Sequence, residues 1–170
     1  QIARDYPVDS ITLTELFYYQ EGYGAADLAL YRAYSGRNDW PRTSSGAIDP
    51  DDASIAEWRS AMVARFVARA ANAAQAHGKE LFVDVRVGWD TPASEGRRGG
   101  HDYALLLEHA DRLVLWNYFG LNEREPEYSR EIANYMRRYG ADRIIISYGL
   151  WASRGAVVSV LMGFATIYLL

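Results

Sequence analysis

Three carboxylates stand in or just beyond hydrophobic stretches: Glu15, Asp84 and Asp90. Two carboxyl groups facing each other across a bond can hydrolyse a glycoside. One, with a raised pKa, gives up a proton; the other stays ionised as nucleophile or base. Glu15 is the expected proton donor, because the aromatics that follow it, Phe17, Tyr18 and Tyr19, would desolvate it and raise its pKa. Asp84 is the expected second carboxylate, with Arg86 on the same strand face to hold it ionised. The same two residues also read as a plain structural ion pair. Asp90, in the loop beyond, is the alternative. Tyr18, Trp89, Trp116, Tyr118, Tyr148 and Trp151 supply flat faces on which a sugar ring could stack. Arg86 and Asn117 add donors for hydroxyl groups. Aromatics of this kind equally fill cores.

Other chemistries lack their residues. His77, His101 and His109 are scattered, and no pair has metal-ligand spacing, so no metal is expected. No Gly-x-Ser-x-Gly elbow and no Gly-rich phosphate loop occur, so neither a serine hydrolase of that type nor a nucleotide cofactor is expected. Arg97-Arg98-Gly-Gly-His101 reads either as an anion-binding run or as a solvated loop. With a net charge of -4 and no basic block, nucleic acid is not the expected partner. The absence of cysteine excludes a disulfide scaffold.

The elements that must position these residues alternate. Strands are expected over residues 10–16, 80–87, 112–119 and 143–148. Helices are expected over 25–34, 50–77, 102–109 and 126–139. The 50–77 helix has a Ser54-x-x-Glu57 capping box, and Ile55, Trp58, Met62, Phe66, Val67 and Ala70 form its apolar stripe. Residues 37–49 and 88–100 are polar loops. In strand 80–87, Leu81, Val83, Val85 and Val87 make one face and Phe82, Asp84 and Arg86 the other. Strand-helix alternation implies a parallel sheet with crossover helices. The expected fold is α/β, a (β/α)8 TIM barrel present as an incomplete portion of four to five βα units, in one domain over residues 1–170. A doubly wound open sheet is the competing architecture. Residues 156–170, almost wholly apolar, are expected to form a helix and the start of a buried strand; they are short for a membrane span. The chain is expected to belong to a longer one, and extracellular or periplasmic placement would need a leader outside it.

The phrase Asp-Ser-Ile-Thr-Leu-Thr-Glu-Leu-Phe (residues 9–17) resembles the strand-ending motif of bacterial glycoside hydrolase-like (β/α)8 barrels, of the type Asp-Gly-Ile-hydrophobic-Asp-Asp-x-Phe. Residues 27–36 are similar to the helix that follows, Trp58-Arg59 with Val63 and Phe66-Val67 to the next, and residues 111–118 to a later strand ending in an aromatic-polar-Tyr group. Thr14 stands where the motif has its first acid, and Glu15 where it has its second. The resemblance implies hydrolysis of a poly- or oligosaccharide by paired carboxylates. With Thr14 in place of an acid, a barrel that binds carbohydrate without cleaving it is the alternative. A structural or partner-binding barrel is a third.

Overall fold

The structure is a computed structural model describing residues 1–18, 22–87, 99–119, 124–148 and 165–168. Five strands form one sheet in chain order: β1 (Ser10–Leu13), β2 (Glu80–Arg86), β3 (Arg112–Asn117), β4 (Ile144–Tyr148) and β5 (Ala165–Tyr168). The first four are parallel, with Leu13 opposite Val83, Val85 opposite Leu115 and Leu115 opposite Ile146. The α/β class and the parallel order follow the expectation. The last strand departs from it: β5 runs antiparallel to β4, with Tyr148 opposite Ala165. The described strands form an open run, and closure into a barrel is not part of it.

Helices α1 (Ile2–Asp5), α2 (Ala25–Ser35), α3 (Ala53–Gln75), α4 (Tyr103–Leu107) and α5 (Tyr128–Met136) complete the elements that bear on the site. Asp52 caps α3 by accepting the Ser54 N–H. The Ser54 hydroxyl is bonded to Asp52 and Tyr31 instead of acting as the cap, so the expected Ser54-x-x-Glu57 box is not formed. A carboxylate two residues earlier takes one of the first free amides, where the helix dipole also favours it. The buried stripe of α3 is Ile55, Trp58, Val63, Val67, Ala71 and Ala74. Phe66, expected on that stripe, is 53% exposed. Val63, Ala71 and Ala74 take that place in the core against the sheet.

Alternation sorts the sheet into two faces. Leu81, Val83, Val85, Leu113, Leu115, Ile144 and Ile146 join Val63, Val67, Leu106, Ile132 and Met136 in the core between sheet and helices. Each such side chain contributes about 1.5–3 kcal/mol of burial before its ordering entropy. Phe82, Asp84, Arg86, Val114 and Trp116 stand on the opposite face, half-buried. A second, aromatic core lies under the connection from β1 to α3. There Tyr31 stacks on Trp40 at 4.5 Å, and Trp40 meets Trp58 at 5.3 Å.

Residues 99–102 lead into α4 through Gly100, whose φ of +91° is in the region that disfavours side chains. A Cβ there would sit 2.7 Å from Val63 Cγ2 and 3.0 Å from the Arg59 carbonyl oxygen. Gly100 thus lets this segment lie directly on α3. Gly100→Ala combines a left-handed backbone with overpacking and should destabilise the fold by ~2–4 kcal/mol, measured by urea unfolding. A loss below about 0.5 kcal/mol would show that the segment does not pack as described.

Candidate functional site

The C-terminal ends of β1, β2 and β3 bring five sequence candidates together: Glu15, Asp84, Arg86, Trp116 and Tyr118. Asp84 lies on the half-buried face of β2, one strand away from Trp116 on β3, and its Oδ2 accepts the Trp116 indole N–H at 3.0 Å. Tyr118 follows two residues later on the same face and stacks on Trp116, with ring centroids 5.6 Å apart and planes 26° apart. Burial pushes the Asp84 carboxyl up, the Trp116 hydrogen bond opposes this, and the Glu15 charge pushes it further up. Burial likewise raises Tyr118, followed by the charges of Asp84 and then Glu15. Glu15, Asp84 and Tyr118 are therefore electrostatic neighbours at one end of the sheet.

Glu15 reaches this place by an unusual backbone. Parity along the strand would put it with Ile11 and Leu13, which pack towards the helices. Its φ is +56°, the only positive value outside glycine among the described residues. That left-handed turn lies two residues past the end of β1, where strand parity no longer holds. Such a conformation costs a β-carbon residue ~1–2 kcal/mol and is found where function requires it.

Two expectations about surroundings are corrected. Glu15 is exposed and is not enclosed by Phe17 and Tyr18. Phe17 instead lies under the Arg86 guanidinium, 4.0 Å from ring centroid to Cζ, and edge-on to His101 at 6.2 Å. Arg86 does not keep Asp84 ionised either: Asp84 is held by Trp116, and its carboxyl is raised, not lowered. The guanidinium also lies 5.8 Å from the Trp116 ring, so Arg86 stays on the candidate face beside the pair.

The remaining candidates are placed elsewhere. Tyr18 turns to α3, 5.1 Å from the Trp58 ring and 5.5 Å from the Arg59 guanidinium. Asn117 shares the helix-facing side with Leu113 and Leu115; it is 2% exposed and donates to the Ser129 hydroxyl at 2.7 Å. It therefore ties β3 to α5 and does not reach the site. Trp89, Asp90, Trp151 and the Tyr148 side chain lie outside the described residues, as do Arg97 and Arg98.

His101 is the site neighbour that sequence reasoning passed over. It is 1% exposed, receives the Arg86 backbone N–H on Nδ1 at 3.1 Å, and bonds the Leu16 carbonyl through Nε2 at 2.8 Å. Burial lowers its pKa, the Leu16 bond opposes that, and the Arg86 charge lowers it further. Two glycines before a histidine that directly precedes the helix-capping Asp102 were the available signal. Among the described residues, no group of three or more His, Cys, Asp or Glu could hold a metal ion. Nor is any described helix long and apolar enough to cross a membrane.

No family model and no curated protein matches this sequence. Three solved structures are similar in part. A chitinase from Chromobacterium violaceum aligns at 13% identity and TM-score 0.40, over 81% of this chain and 62% of that one. A class V chitinase from Pseudomonas fluorescens aligns at 14% identity and TM-score 0.41, over 81% and 60%. The spore cortex-lytic enzyme SleL of Bacillus megaterium aligns at 18% identity and TM-score 0.40, over 71% and 28%. The chain spans less than two thirds of the length of each. At this level of likeness none of the three assigns a role to any residue here.

Two outcomes follow from the geometry. Glu15→Gly should raise the free energy of unfolding by ~0.5–1 kcal/mol in urea, because glycine accepts the left-handed turn at lower cost. A loss of stability would contradict the strained backbone. Asp84 binds its proton more tightly folded than unfolded. Its effect on stability is therefore most favourable below the ordinary carboxyl range, and stability falls as pH rises from that range through the raised native value. Subtracting the pH profile of Asp84→Asn from that of the parent should leave this slope. A flat difference would contradict the burial of Asp84.

Proposed function

We propose that this chain carries a carbohydrate site of the glycoside-hydrolysing type at the C-terminal ends of β1 to β3. Asp84 serves as the proton donor and Glu15 as the second carboxylate. The observation that carries the reading is the coupled pair itself. A half-buried carboxyl is raised by burial and by the charge of an exposed second carboxylate on the next strand end, beside a stacked Trp116–Tyr118 platform. Environments that push two carboxyls apart are what separate acid from base in glycoside hydrolysis. This exchanges the roles expected from sequence, because Asp84 is the carboxyl that the fold desolvates. The platform offers an aromatic face to the apolar side of a sugar ring. Arg86 lies on the same face as a hydroxyl donor.

Carbohydrate binding without cleavage is the second reading. It is favoured by Thr14, which is exposed and brings no second acid beside Glu15.

The test is reducing-end release from a panel of neutral and anionic polysaccharides by the protein that carries this chain. Asp84→Asn and Glu15→Gln should each lower turnover by ~10²–10⁴-fold with little change in substrate binding. Unchanged turnover in either variant contradicts the paired-carboxylate reading. Retention of a glycan with no product, lost in Trp116→Ala, establishes the second reading.

A further inference from the structure

We propose that His101 is a positioning residue that sets the separation of Glu15 and Asp84 by cross-linking the ends of β1 and β2. The inference rests on Glu15 and Asp84 working as a pair. The imidazole spans two strands. On one side it holds the carbonyl of Leu16, the residue next to Glu15. On the other it accepts the N–H of Arg86, two residues beyond Asp84. An amide N–H can only donate, so Nδ1 is the acceptor and the single ring proton is on Nε2, pointing at Leu16.

The rest of the segment reinforces the clamp. The Tyr103 hydroxyl donates to the Arg86 carbonyl at 2.6 Å, so the N–H and the C=O of this residue are both fixed from the same stretch. Tyr18 N–H donates to the Gly99 carbonyl at 2.9 Å, tying the chain just past Leu16 to the chain just before His101. Gly100 seats the segment on α3. A second ring proton would turn Nδ1 into a donor facing the Arg86 N–H. Burial disfavours that charge, and so does the Arg86 guanidinium, the charged group that acts on the ring from β2. With Nδ1 protonated, the β2 side of the link would be lost while the Leu16 side remained.

The experiment follows Asp84 by ¹³C carboxyl NMR titration and needs no substrate. In the otherwise unchanged protein, Glu15→Gln should move the Asp84 midpoint down, because a raising charge is removed. In a His101→Leu background the same substitution should move it by less than half as much. In His101→Gln, whose amide can accept from Arg86 and donate to Leu16, most of the shift should return. An equal Glu15 effect with and without the histidine overturns the proposal. The ¹⁵N spectrum of the unaltered His101 covers the case in which His101→Leu does not fold. It should show one Nε2-protonated neutral ring at a pH about one unit below the ordinary histidine value of about 6.5. A charged ring, or a proton on Nδ1, overturns the proposal equally. Absence of any Glu15 effect in the unchanged background would instead count against the pair itself, which separates the two failures.

Discussion

A period of two governs everything that this sheet can present. In β2 and β3, neighbouring residues must point to opposite faces, and one face is committed to α3, α4 and α5 by Val83, Val85, Leu113 and Leu115. Asp84, Arg86 and Trp116 are then forced together on the other face, in adjacent strands held in register by backbone bonds. The Trp116–Asp84 bond follows from that register and needs no loop to arrange it. The site gains rigidity from strands, and rigid placement is what a pair of working carboxyls requires.

Glu15 does not obey the same rule, and the exception is informative. Left in parity it would face the helices. The chain instead adopts a left-handed turn there, at a cost of ~1–2 kcal/mol, and the Glu15 charge pushes the Asp84 carboxyl up. The next residue is then caught by His101. Strain at Glu15 and capture at Leu16 are two parts of one local arrangement: the turn redirects the side chain, and the buried ring keeps the redirected chain against β2.

Much of this was legible in the sequence, and the misses have physical causes. Alternation in residues 80–87 was enough to separate Asp84 and Arg86 from the valines, and that face assignment holds. The same parity also placed Asn117 with Leu113 and Leu115, so its helix-facing side was readable; its position at a strand end had suggested otherwise. The left-handed turn at Glu15 was not legible, because φ is not written in a local pattern when the residue is not glycine. His101 was invisible for another reason. Its partners are backbone groups of Leu16 and Arg86, 85 and 15 residues away, and backbone groups leave no trace in residue type. The antiparallel β5 is likewise a matter of chain direction, which an apolar run does not encode.

The most direct measurement is where a sugar binds. Indole ¹H–¹⁵N spectra of the protein carrying this chain, recorded with increasing neutral and anionic oligosaccharides, distinguish Trp116 on the candidate face from the buried Trp58 on the other side of the sheet. The account expects the Trp116 resonance to shift in a saturable manner while Trp58 stays in place. Saturable binding of these sugars that leaves Trp116 unmoved, or that moves Trp58 alone, would contradict it.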